Sequence, residues 1–190
     1  MAPAATAVLG FWFGQPPTVT PRAEWFRKDE AFDRSIAQRF GTTLVAALAN
    51  GLRHSDATAE GTLARIVVLD QFTRNAFRGT ARAFAGDAQA LAAAQALVAS
   101  GADRSLLPLQ RWFAYLPFEH AEDNAMQQQS LQLFAALAAE HPALAEAHTW
   151  AVKHAAVITQ FGRYPHRNAL LGRPSTEAER AFLAQPGSAF

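Results

Sequence analysis

The chain predicts an all-α protein, with residues 1–190 forming a single domain. Three observations carry that expectation. The composition is rich in Ala, the strongest helix former, and lacks the Val/Ile/Thr alternation of strands. Apolar residues recur at helical spacing, as Phe32, Ile36 and Phe40 do. Gly, Pro and capping residues then cut the chain into about eight or nine helices, whose short connections predict packing as antiparallel helical hairpins.

In chain order, Met1 to Gly14 reads as a first helix carrying Val8, Leu9, Phe11, Trp12 and Phe13. It lacks the basic start and small-residue cleavage site of a signal peptide. Pro16-Pro17 forces a loop. Asp29 is a good N-cap for a helix through Phe32, Ile36 and Phe40, continuing past a kink at Gly41 to a stop near Asn50-Gly51. Leu63, Ile66, Val67, Asp70 and Arg74 share one helical stripe. Thr73 to Thr80 reads as irregular and basic. Thr80 or Gly86 opens a helix closed by Gly101. Pro108 fits the first turn of a shorter helix that Pro117 breaks. A long helix is then expected from about Glu119 to Glu140. Pro142 opens one more, ended by Gly162. Thr176 and Glu179 have capping-box spacing for a last helix, and the tail packs by the Phe190 ring or frays.

Composition removes several functions. The formal net charge of +1 gives no field for nucleic acid. Cys is absent, which excludes disulfides, zinc–thiolate sites and thiol nucleophiles and is compatible with a cytoplasmic protein. No apolar run is long enough to span a bilayer, so no membrane role is expected.

Half of the chain is hydrophobic and 17% is charged, below the usual quarter, which makes its polar clusters conspicuous. The first, Asp70, Gln71, Arg74 and Asn75, follows Ile66 to Leu69 in a stretch with hardly any wet face. A structural ion pair is the simpler reading; an Arg held ready for an anion is the functional one. The second contains Glu119, His120, Glu122 and Asp123. Its acids suit a helix's first turn, and a His–Asp pair there could work as a general base. Its spacing matches neither di-iron nor zinc-protease motifs, so no metal is expected. The third crowds Arg163, His166, Arg167, Asn168 and Arg173 into one loop, either as partners of the acids or as an anion clamp. His154, alone on an apolar face, reads as a hydrogen-bonded core residue. If the helix ends carrying these clusters face one way, they line one hollow.

LDQFTRNAFRGTARAFAGDAQAL, PFEHAED and FGRYPHRNALLGR, with the opening FWFG and the closing STEAERAFL, resemble the bacterial family catalogued as domain of unknown function 924. The likeness covers nearly the whole chain. It implies a tetratricopeptide-like helical fold and no established activity, cofactor or catalytic residue. Family members typically read LDQFPRN where this chain has Thr73, and PFEHSED where it has Ala121, so no serine nucleophile is available at that point.

Two functions are expected from different classes. One is a site for a small anionic ligand, with Asp70, Gln71, Arg74, Asn75, Glu119, Glu122, Arg163, Arg167 and Asn168 binding and His120, Asp123 and His166 as candidate acid–base residues. The other is a peptide- or protein-interaction module in which the clusters are purely structural. No cofactor is expected in either.

Overall fold

The computed structural model describes residues 3–188; Met1, Ala2 and the Phe190 ring of the expected tail contact lie outside the described residues. The elements are α1 (Pro3–Phe13), α2 (Glu30–Leu48), α3 (Ala59–Ile66), a π-turn (Val67–Phe72), α4 (Thr73–Ala76), α5 (Asp87–Ala99), α6 (Pro108–His120), α7 (Asn124–Glu140), α8 (Ala145–Phe161) and α9 (Glu177–Leu183), joined partly by short 3₁₀ turns. No strand occurs among the described residues.

Local chemistry sets the starts. Asp29 accepts from the N–H groups of Ala31 and Phe32 at 2.9 and 3.0 Å. Thr58 accepts from Gly61 at 3.0 Å and Asp123 from Met126 at 2.9 Å. Thr176 and Glu179 form the expected capping box. Each side chain satisfies a donor that the first helical turn leaves open. Gly162 closes α8 in the left-handed conformation.

Several boundaries are corrected. Pro117 does not break its helix: α6 runs through it to His120, forgoing the single bond that the missing N–H would have made. The break comes at Ala121, whose backbone is extended, and Asp123 starts a new helix. Glu119 and His120 therefore end α6 and do not open a long helix from 119 to 140. The segment after Arg74 is also more regular than expected, since Thr73–Ala76 continues the α3 rod and α2 passes unbroken through Gly41.

The core is centred on the π-turn. Val67 to Phe72 are all buried, and α2, α5 and α6 pack around them. The Phe72 ring meets Phe40, Trp12 and Phe11 at 4.8, 5.6 and 5.9 Å, joining α1 and α2 to the centre. α7 packs along both α6 and α8, and a smaller apolar cluster of Val157, Ile158 and Tyr164 ties in the last loop.

A π-turn skips carbonyls of the α ladder, and those must find other donors. The Thr73 hydroxyl donates to the Leu69 carbonyl at 2.7 Å, and Arg74 donates to the Asp70 carbonyl at 2.7 Å. Gly86 lies so close that a Cβ there would sit 2.1 Å from the Leu69 oxygen, which no backbone adjustment short of a shift relieves. Gly86→Ala is therefore expected to cost about 3 kcal/mol or more. Gly41, with nothing within 4 Å of its Cβ position, is expected to gain about 0.5–1 kcal/mol as Ala. Urea unfolding of the two variants checks both, and a neutral Gly86→Ala would contradict the close approach.

Candidate functional site

Asp70 projects from the middle of the π-turn and is 0% exposed. Its Oδ1 faces His120 Nδ1 at 2.7 Å and Arg74 Nη1 at 3.1 Å, and its Oδ2 accepts from Gln71 at 2.6 Å. A buried carboxylate without such partners would be untenable. Arg74 spans two acids, gripping Asp87 at the start of α5 through both terminal nitrogens at 2.8 and 3.1 Å. Arg167, from the loop after α8, reaches the same Asp87 at 3.3 Å and lies against the rings of Phe84 and Tyr164 at 4.8 and 4.4 Å. Its Nε is buried with no hydrogen-bond partner among the described residues.

The end of α6 closes the other side. Glu119 is 3% exposed, and its Oε1 lies 3.1 Å from His154 Nδ1. That nitrogen also lies 2.9 Å from the Trp150 carbonyl, one turn back on α8. The His120 and His154 rings are 6.3 Å apart, and His154 and His166 each flank Tyr164, at 5.7 and 5.6 Å. The Tyr164 hydroxyl donates to the Glu119 carbonyl, and Gln127 Nε2 donates to that oxygen at 2.7 Å. Three segments far apart in sequence thus meet in one polar knot.

The electrostatics follow from burial and neighbours. Burial pushes the Asp70 carboxyl up, but the charge of Arg74 and the bonds from His120 and Gln71 outweigh it and hold Asp70 ionised. Burial, reinforced by the Asp70 charge, pushes Glu119 up to about 8. Burial lowers His120 despite Asp70, and takes His154 to about 3 and His166 to about 4, with His120 and Arg167 respectively adding to the effect. At neutral pH the knot holds an ionised Asp70, a protonated Glu119 and uncharged imidazoles. Because Asp70 can only accept, His120 carries its proton on Nδ1 and leaves Nε2 as its basic atom.

The sequence-predicted residues divide. Asp70, Gln71, Arg74, Glu119, His120, His166 and Arg167 come together. Asp123 does not: it is the N-cap of α7. Asn75 turns away to Asp33 at 2.7 Å. Arg163 is committed to Glu179 at 2.6 and 2.9 Å and holds that carboxyl down to about 2. Glu122 pairs with Arg173 at 2.5 and 2.9 Å and accepts from the Tyr164 N–H at 2.8 Å, so it anchors the loop beside the knot. Asn168, buried, binds Ser175 and Arg173 at 3.0 Å each. Sequence reasoning passed over Asp87 and Tyr164, placed Gln127 on the His120 face without a role, and read His154 as a solitary core residue; its hydrogen bond is present, but so is Glu119. Among the described residues no group of three or more His, Asp or Glu is arranged to hold a metal. Cavities of about 780 and 700 Å³ lie elsewhere, beside Phe11 and Arg39 and between α3 and α5.

A family model described as a bacterial protein of unknown function (DUF924) matches residues 8–187. The chain belongs to the DUF924 family. A solved structure is similar: the protein of unknown function ATU0120 from Agrobacterium tumefaciens is 38% identical, with a TM-score of 0.82 over 95% of this chain and 96% of that one. No curated protein matches.

The protonated Glu119 makes this DUF924 chain sensitive to alkali. Its carboxyl is raised on folding from 4.5 to about 8, so its stabilising protonation is complete below 4.5 and is lost as pH rises through about 8. His154 and His166 are lowered, so their contribution is present above 6.5 and is lost as pH falls. Between pH 6.5 and 9, wild-type unfolding free energy should therefore drop, by an amount on the order of a few kcal/mol. In Glu119→Gln the drop should largely vanish, as measured by urea unfolding across that range. Equal slopes in the two proteins would contradict the assignment.

Proposed function

We propose that the knot is a small-molecule site, in which Arg167 and Arg74 hold a small anion and His120 acts as the base. The observation that carries this reading is the 2.7 Å contact of His120 Nδ1 with a buried, ionised Asp70. A carboxylate in that position fixes the imidazole's tautomer and raises its basicity, which a merely packed histidine does not need. Arg167 supports the anion half: it shares Asp87 with Arg74, which holds that acid more closely, and its own charge is disfavoured by burial and by Arg74. An incoming carboxylate would relieve both. Cytoplasmic location is part of the proposal and agrees with a cysteine-free chain in which no described helix is long and apolar enough to cross a membrane.

A second reading has an observation of its own. The polar groups of the knot largely satisfy one another, and the cavity of about 700 Å³ between α3 and α5 lies apart from them. That arrangement suits a scaffold that offers its surface to a peptide or protein, with the knot purely structural.

Acetate separates the two. Titrated into the protein and followed by the ring ¹⁵N resonances of His120, it should give a saturable shift. Arg167→Gln should weaken that binding about tenfold, equivalent to about 1.4 kcal/mol. A His120 signal indifferent to acetate would favour the scaffold.

A further inference from the structure

The FWFG stretch at the end of α1 plays no part in the knot, and it borders a hollow of about 780 Å³. Phe11, Phe13 and Phe32 form part of the wall, with the Phe11 and Phe32 rings stacked at 5.2 Å. Both of those rings are only partly buried, so apolar surface remains uncovered there. The guanidiniums of Arg22 and Arg39 line the same hollow, and among the described residues no carboxylate does. Arg22 is committed to the fold. Its Nη1 donates to the Phe11 and Trp12 carbonyls at 3.0 and 2.8 Å, closing the end of α1, and its Nη2 pairs with Glu24 at 3.1 Å. Arg39, from α2, lies across the Phe11 and Phe40 rings at 4.7 and 5.6 Å. Among the described residues its guanidinium meets no carboxylate and no hydrogen-bond acceptor. The other cavity differs: there Arg65 grips Asp56 at 2.8 and 2.7 Å, so the lining brings its own anion. Gln15 adds a donor beside Arg39. Its Nε2 lies over Gly10, where a Cβ would stand 2.7 Å away, so the bare glycine makes room for the amide at the edge of the hollow.

We propose that this hollow binds an aromatic carboxylate, independently of the knot. The planar fork of Arg39 matches a carboxylate and donates to both of its oxygens, and the Phe11 ring beneath holds the fork in place. The Gln15 amide supplies a further N–H. The ring of the ligand covers the apolar surface that Phe11 and Phe32 leave open, where aromatic pairs gain more than the area they bury. An anion as small as acetate meets the cation but leaves that wall bare. A neutral ring covers the wall but leaves Arg39 without an anion. The size agrees, since pockets for small molecules hold on the order of 300–1,000 Å³. Arg22 is a positioning residue: its bonds to Phe11 and Trp12 fix the loop side of the hollow.

Calorimetric titration of the whole chain with naphthoate tests the site. The wild type should bind naphthoate saturably and about tenfold more tightly than naphthamide, which has the same rings and no charge. Arg39→Gln should bind naphthoate about tenfold more weakly and lose the preference over the amide. Ala7→Leu, at an exposed position of α1 that lines the hollow, should block both compounds by filling it. Saturating naphthoate should leave the ring ¹⁵N resonances of His120 where they were. If either variant fails to fold, the wild-type preference for naphthoate over naphthamide still decides. Absence of saturable naphthoate binding, equal affinity for the amide, or an affinity untouched by Arg39→Gln would each overturn the proposal. So would a naphthoate-dependent shift at His120 with Arg39→Gln binding as the wild type does, which would move the ligand to the knot.

Discussion

The contact on which the rest of the molecule depends is the burial of the Asp70 carboxylate against Arg74 and His120. An ionised acid at 0% exposure demands donors, and it draws them from its own turn, from the following helix and from the end of α6. Each donor carries further obligations. Arg74 fixes Asp87 and with it the start of α5. Asp87 fixes Arg167 and the loop after α8. His120 fixes the end of α6 and places Glu119 in the same dry space. A single charge thus ties together the start of α5, the end of α6 and the loop after α8.

The π-turn makes this arrangement possible. A regular helix would put a backbone hydrogen bond where Thr73 and Arg74 now reach the carbonyls of Leu69 and Asp70. Widening the helix exposes those carbonyls, lets Gly86 press against one of them, and aims Asp70 into the core without stranding a polar atom. Such turns are rare and tend to occur at functional positions, in keeping with the proposed site. Thr73 belongs to the same arrangement, since its hydroxyl satisfies the Leu69 carbonyl.

Much of this was legible in the residues. Helical spacing, caps at Asp29 and Thr176, and glycine stops at residues 101 and 162 locate the elements because those signals are local. The polar clusters were visible because charges are scarce in this chain. What stayed hidden was pairing across space. Arg163 and Arg167 are chemically identical four residues apart, and only the fold sends one to Glu179 and the other to Asp87. Asp123 and Glu119 look alike in sequence, yet one caps a helix and the other ends one. Pro117 gave a misleading boundary, and that single error inverted the reading of Glu119 from dipole partner to dipole opponent. His154 looked solitary because its partner lies 35 positions away in the chain.

A double-mutant cycle of Asp70→Asn and Arg74→Gln tests the central contact most directly, through the unfolding free energies of the wild type, both single variants and the double variant. If the Asp70 charge organises the knot, the two substitutions should be coupled by about 2 kcal/mol or more, since removing either partner leaves the other buried and uncompensated. Additive effects, with coupling within about 0.5 kcal/mol, would show that Asp70 and Arg74 are stabilised independently and that the knot is not held together by that charge.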